Sequence, residues 1–99
     1  MIVIAGTIPV KPEHREEARQ LAIQMAKATQ AEAGCVQYQF YADLADPNTF
    51  FIFEEWESDD ALALHFKTEH MKTFQQQMPK ILAGKISVKR YTVQSAAPL

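Results

Sequence analysis

The stretch FFIFEEWESDD, residues 50–60, decides how this chain folds. Its even positions, starting at Phe50, and its odd positions, starting at Phe51, both begin with apolar side chains. Successive side chains of a β-strand point to opposite faces of the sheet, so both faces of this strand need cover. Helices of so short a chain can cover only one of those faces. The apolar side chains on the other face therefore predict that a partner molecule covers it.

Size and composition indicate one soluble globular domain over residues 1–99, with 47% hydrophobic and 22% charged residues. The net charge of −2 lacks the positive surplus that nucleic-acid binding requires. No apolar run is long enough to span a membrane, and the apolar start MIVIAGTIPV lacks the basic residues of a signal peptide. The single cysteine, Cys35, has no internal disulfide partner, which fits a cytoplasmic location.

Residue spacing and capping residues predict three helices. The first covers about residues 12–33, because Pro12 suits a first helical turn and Gly34 suits a stop. Ser58 is the predicted N-cap of a short second helix, and Thr68 is the predicted N-cap of the third.

Four segments have the character of strands. They cover residues 3–10, 35–44, 49–57 and 85–93, and the last follows Gly84, which is predicted to end the third helix. The turn ADPN joins the two middle strands into a hairpin.

Alternation in the second strand predicts which side chains share a face. Val36, Tyr38 and Phe40 point one way, and Cys35 points the other way. The first group supplies aromatic side chains for a pocket.

The order of elements predicts an α+β fold, the ferredoxin-like split βαβ arrangement, with an antiparallel sheet and its helices on one face. The uncovered apolar face then predicts a homodimer in which two sheets pack together about a two-fold axis.

The segment FIFEEWESDDALALHFKTEHMKTF, residues 51–74, resembles the antibiotic biosynthesis monooxygenase family. It shares Trp56 at a strand end after acidic residues, a short helix ending in His65, and a capped helix that opens with His70. The segment EAGCVQYQFY fits more loosely. The resemblance implies a dimeric α+β barrel. Among subtypes it is similar to quinol-monooxygenase-like proteins, which oxidise phenols or hydroquinones without a cofactor.

The family also includes heme-degrading enzymes, an isomerase and members with no settled activity, and this chain departs from two of its residue sets. Polyketide-oxidising members carry Asn and Tyr where this chain has Ile52 and Leu62. Heme-degrading members carry Trp where this chain has His65. Heme degradation is therefore not expected.

A candidate pocket lies where the even face of the third strand meets the short helix. Its candidate catalytic residues are His65, Glu54 and His70, and its candidate substrate-binding residues are Trp56, Phe66, Tyr38, Phe40 and Phe74. Apolar and aromatic walls with a few converging polar groups are typical of small-molecule sites. The expected ligand is a small aromatic or quinol-like molecule.

Each polar candidate has a catalytic and a structural interpretation. His65 is the preferred base, because imidazole titrates near neutral pH; as a core residue it would bond to a backbone carbonyl or to Glu54. In the catalytic interpretation His70 binds a substrate oxygen, and in the structural interpretation it only completes the start of its helix. Glu54 orients His65 or pairs with Arg90 or Lys89 on the last strand. Trp56 donates to a substrate oxygen or only closes the sheet.

No metal site and no cofactor are predicted, since two histidines five residues apart among scattered carboxylates are not a metal signature. Three functions remain open. The first is a cofactor-independent monooxygenase that oxidises a hydroquinone or polyphenol with dioxygen. The second is an isomerase of a small carbonyl compound with the same fold, and the third is a non-catalytic protein that binds a small aromatic molecule.

Overall fold

The computed structural model describes residues 1–99 and contains a four-stranded antiparallel sheet with helices on one face. The strands are β1 (Ile2–Pro9), β2 (Cys35–Ala42), β3 (Thr49–Trp56) and β4 (Ser87–Thr92), in the sheet order β2-β3-β1-β4. The helices are α1 (Arg15–Gln30), α2 (Asp59–His65) and α3 (Glu69–Ile81), and a 3₁₀ turn over Pro12–His14 precedes α1. The predicted α+β ferredoxin-like class is confirmed. No helix has the length and apolar character needed to cross a membrane.

The two central strands, β3 and β1, place their even-numbered side chains under the helices. Phe50, Ile52, Glu54 and Trp56 of β3 are all buried. Trp56 lies across from Ile2, a buried residue at the start of β1. The prediction that the even face of this strand packs against the helices is therefore confirmed.

A β-bulge at the start of β2 changes the predicted alternation. Cys35 pairs with Trp56 and Gln37 pairs with Glu55, so Val36 is an extra residue on β2. Cys35 consequently lies across from a helix-facing residue, and Val36 is 52% exposed. The prediction for Val36 and Cys35 was wrong, because a bulge shifts the alternation by one residue.

Two helices differ from the predictions at their ends. The first α-helix begins at Arg15, after the 3₁₀ turn, and ends at Gln30, so the predicted range was too long at both ends. The third helix ends at Ile81 and not at Gly84. Leu82 is already extended and forms a β-bridge with Val10, which removes it from the helix.

The second face of the sheet carries large apolar side chains that no helix covers. Tyr41 pairs with Phe51, and Phe51 pairs with Thr7, so these side chains form one row across three strands. Val3 and Tyr91 form a second row. Phe51, Tyr41 and Tyr91 are all exposed in the single chain. This uncovered face of the sheet, which carries Val3, Tyr41, Phe51 and Tyr91, is hereafter called the outer face.

Candidate functional site

The connection between α2 and α3 holds two histidines in fixed positions. His65 is the last residue of α2, and its carbonyl oxygen accepts a 2.8 Å hydrogen bond from the hydroxyl of Thr68. The same Thr68 oxygen accepts the backbone N–H of Met71 and so caps α3, as the sequence predicted. His70 is the second residue of that helix. One threonine therefore fixes the geometry on both sides of the connection.

A carboxylate that the sequence did not single out, Glu32, joins the two histidines. Glu32 Oε2 lies 2.7 Å from His65 Nδ1 and 2.6 Å from His70 Nε2. A carboxylate oxygen only accepts hydrogen bonds, so both ring nitrogens donate to it. Hydrogen bonds of this length between an ionised group and imidazole are among the strong ones in proteins. Glu32, His65 and His70 are hereafter called the His–Glu cluster.

The cluster extends from the interior to the surface. The side chain of His65 is 2% exposed, that of Glu32 is 14% exposed and that of His70 is 26% exposed. Its buried end is therefore His65, and its solvent end is His70.

The loop after α1 places Glu32 beside the histidines. The N–H of Glu32 donates to the carbonyl of Thr29, which continues the helical turn, and Gly34 then adopts a left-handed φ of 83°. The carbonyl of Gly34 accepts the N–H of Glu57, directly after β3. A Cβ at Gly34 would lie 2.5 Å from the Cβ of Ala61, so only glycine fits this close approach of the loop to α2.

Glu54 forms no hydrogen bond or ion pair with its predicted partners, which were His65, Arg90 and Lys89. Its Oε1 accepts the indole N–H of Trp56 across 2.9 Å, and Glu32 takes the predicted place beside His65. Arg90 pairs with Asp59. Burial raises the pKa of Glu54 to about 7, against the lowering effect of the Trp56 bond, and the negative charge of Glu32 raises it further.

The predicted pocket beneath α2 is filled by its own walls. The rings of Trp56 and His65 lie 4.8 Å apart between centroids, those of Tyr38 and His65 lie 5.7 Å apart, and all three side chains are buried. Burial also raises the pKa of Tyr38, so its hydroxyl stays neutral. Trp56 donates to Glu54, so its N–H is not directed at an open cavity.

The other predicted wall residues lie farther out. Phe40 packs edge-on to Tyr38 and lies 6.0 Å from Phe74 between ring centroids. Phe66 is exposed, with its ring 5.6 Å from that of His65. The sequence therefore predicted neighbours of the cluster, but the structure does not bring them together as one open pocket.

Cys35 is a poor nucleophile at this site. Its partial burial and the negative charges of Glu32 and Glu54 raise the pKa of its thiol to about 11. The thiolate, which is the reactive form, is therefore scarce at neutral pH.

Two open cavities border α1. The larger, about 240 Å³, lies between α1 and β2, and its walls include Arg15, Arg19, Phe40 and Tyr41. No histidine or carboxylate lines it. The smaller, about 120 Å³, is lined by Leu21, Gln24, Met25, His70 and Thr73, and it therefore meets the solvent end of the His–Glu cluster.

Residues 1–77 match the family model described as antibiotic biosynthesis monooxygenase. The chain belongs to this family. Among curated relatives, "Uncharacterized protein sll1783" of Synechocystis is 36% identical over 99% of this chain and 67% of its own length. "Putative monooxygenase YcnE" of Bacillus subtilis is 33% identical over 91% of this chain and 95% of its own length.

Solved structures of the antibiotic biosynthesis monooxygenase family have the same fold. A structure described as a "putative antibiotic biosynthesis monooxygenase from Deinococcus radiodurans" is 26% identical, with a TM-score of 0.87, and covers 100% of this chain and 98% of its own. Membership in the family and the names of the relatives support a monooxygenase-like function in general terms.

Proposed function

We propose that this protein is a cofactor-independent monooxygenase of the cytoplasm that oxidises a small hydroquinone or polyphenol with dioxygen. One observation carries the proposal beyond family membership: a single carboxylate oxygen lies within 2.7 Å of two imidazole nitrogens, and one of those imidazoles borders a cavity. Such an arrangement suits the removal of a phenolic proton, which is the first requirement of the reaction.

Burial favours His70 as the residue that meets the substrate. His65 was the preferred base from the sequence, but its side chain is almost fully enclosed, whereas a quarter of His70 is exposed beside the 120 Å³ cavity. When His70 takes a proton, the charge on Glu32 stabilises the imidazolium, and His65 holds Glu32 in place through its own hydrogen bond. Glu32 and His65 are then positioning residues for His70.

The reaction needs no further reagent than dioxygen. Loss of the phenolic proton to His70 leaves an electron-rich anion, which transfers an electron to dioxygen and bonds to it at a ring carbon that carries hydrogen. The peroxide takes the proton back and then loses water. One oxygen atom remains as a new quinone carbonyl, and the other leaves in the water. The protein supplies deprotonation, orientation and partial exclusion of water.

The size of the cavity restricts the substrate. Drug-sized ligands occupy sites of roughly 300–1,000 Å³, and the cavity at His70 has about 120 Å³. The apolar side chains of Leu21 and Met25 suit the face of one ring, and Gln24 and Thr73 offer polar groups to a second hydroxyl. A single-ring hydroquinone is therefore the favoured substrate.

Oxygen uptake with a single-ring hydroquinone tests the proposal. A positioned base contributes roughly 10²- to 10⁴-fold to a rate, so we expect His70→Asn to lower the enzymatic rate by about that factor. The matched control is His14→Asn, because His14 also contacts a glutamate, Glu17, at 3.0 Å but lies on the exposed start of α1. Wild-type uptake no faster than autoxidation, or equal rates for His70→Asn and wild type, would contradict the proposal.

The larger cavity favours a second candidate function, the binding of a small aromatic anion without catalysis. Arg15 and Arg19 supply positive charge there, Phe40 supplies an aromatic wall, and no base is present. Calorimetric titration with benzoate, repeated with Arg19→Gln, tests this function. Saturable binding that the substitution weakens, together with no oxygen uptake, would favour it over the oxygenase.

We also propose that the protein is a homodimer with the outer face at its centre. Phe51, Tyr41 and Tyr91 leave large rings exposed on this face, and Val3 and Phe53 add apolar area between them. A second copy supplies the same rows of side chains, so a two-fold axis buries each sheet against the other.

A further inference from the structure

We propose that Glu32, His65 and His70 form a binding site for a divalent transition-metal cation of the Zn²⁺ type. The site would use the same three residues as the proposed oxygenase base, but binding of a cation does not require oxygenase activity. The ligand atoms Glu32 Oε2, His65 Nδ1 and His70 Nε2 all lie within 4.8 Å of one another. They come from three separate parts of the chain: the loop after α1, the end of α2 and the start of α3.

The types of ligand atom select the cation. Imidazole nitrogen suits Zn²⁺, Co²⁺ and the other first-row transition metals, and one carboxylate oxygen completes a common three-residue set. Mg²⁺ and Ca²⁺ prefer sites made of oxygen alone. The site is therefore expected to distinguish Zn²⁺ from Mg²⁺.

The geometry requires only a small rearrangement. Metal bonds to imidazole and carboxylate are about 2.0–2.2 Å long, so tetrahedral ligands lie roughly 3.3 Å apart. The two contacts of Glu32 are shorter than that, at 2.7 and 2.6 Å, and the whole group spans up to 4.8 Å. Glu32 and His70 are partly exposed and have room to adjust, while the buried His65 provides the fixed ligand.

The surroundings support binding and leave the site accessible. The aromatic rings of Tyr38 and Trp56 pack against His65 and fix its ring plane. The exposed part of His70 gives a cation a path from solvent and leaves room for water as a fourth ligand. A cation would use the ring nitrogens that now donate to Glu32, so each ring would carry its proton on its other nitrogen when the cation is bound.

Calorimetric titration of the full chain with ZnCl₂ tests the site, with MgCl₂ as the cation control. We expect Zn²⁺ to bind in a saturable manner, and Glu32→Gln and His70→Asn each to weaken binding at least about tenfold. His14→Asn is the matched variant, since the pair of His14 and Glu17 has no third ligand. It should retain the wild-type affinity. No saturable Zn²⁺ binding, or wild-type affinity in Glu32→Gln and His70→Asn, would overturn the proposal.

A measurement on the unaltered protein does not depend on whether the variants fold. Imidazole ¹⁵N NMR signals of wild type, titrated with Zn²⁺, should shift for His65 and His70 and remain in place for His14. Signals of His65 and His70 that do not move, with or without a shift for His14, would exclude this site.

Discussion

Trp56 donates its indole N–H to Glu54 Oε1 across 2.9 Å, and both side chains lie on the helix-covered face of β3. This one hydrogen bond is the only one that the Glu54 carboxyl makes. It does not offset the burial of the negative charge, so the pKa of Glu54 is raised from 4.5 to about 7. A carboxyl with a raised pKa makes the folded state dependent on pH.

Substituting Glu54→Gln should remove that dependence. Below its unfolded pKa the carboxyl of Glu54 is protonated in both the folded and the unfolded state, so folding buries no negative charge there. As pH rises from about 4.5 to about 7 the unfolded chain ionises first, so stability falls, and above that range the loss is constant. The free energy of unfolding of the variant, relative to that of wild type, should therefore increase by about 3 kcal/mol as pH rises from ~4 to ~8. Urea denaturation of both proteins across this range measures the difference; parallel stability curves would contradict the prediction.

Gly34→Ala should destabilise the fold and displace Glu32. Alanine disfavours a φ of 83°, and its Cβ would lie 2.5 Å from that of Ala61. The two effects together should cost about 2–4 kcal/mol. Gly84→Ala is the matched control, because its Cβ would lie 3.6 Å from Pro9 Cγ, an ordinary contact. Thermal denaturation distinguishes the two variants, and equal midpoints would show that the loop tolerates a side chain at Gly34.

Phe51→Glu should separate the proposed dimer. Phe51 lies on the outer face at the centre of the sheet, so a charge there would be buried between the two copies. Leu64→Glu is the control, because Leu64 is an exposed apolar residue on α2, away from that face. Size-exclusion chromatography with light scattering should give twice the chain mass for wild type and Leu64→Glu, and the single mass for Phe51→Glu. A wild-type protein of single mass would refute the dimer.

The sequence was informative about the fold because its signals are local. The alternation of residues 50–56 shows which side chains of β3 are covered, and Ser58 and Thr68 mark helix starts through their own hydrogen bonds. The bulge at Val36 was not predictable, because it exists only in the pairing of β2 with β3. The end of α3 likewise depends on the bridge from Leu82 to a distant strand.

The candidate site was predicted in part. His65 was identified by its place at the end of the short helix beside the third strand, and His70 by its place just after the cap Thr68. Both lie in the segment that resembles the family. Glu32 was missed because it lies 33 residues before His65 and was assigned to the end of the first predicted helix, whereas the structure ends that helix at Gln30. The available signal was its place two residues before Gly34, whose left-handed turn directs the loop towards the end of β3. The predicted partners of Glu54 were wrong, because Glu54 accepts the indole N–H of Trp56, while His65 bonds to Glu32.

The sharing of one oxygen atom by two imidazoles also bears on how such a chain could evolve. Replacement of Glu32 would deprive both rings of their acceptor at once, so the effects of substitutions at the three positions would not add. The effect of replacing either histidine would then depend on whether Glu32 is present, although His65 would keep its packing against Tyr38 and Trp56.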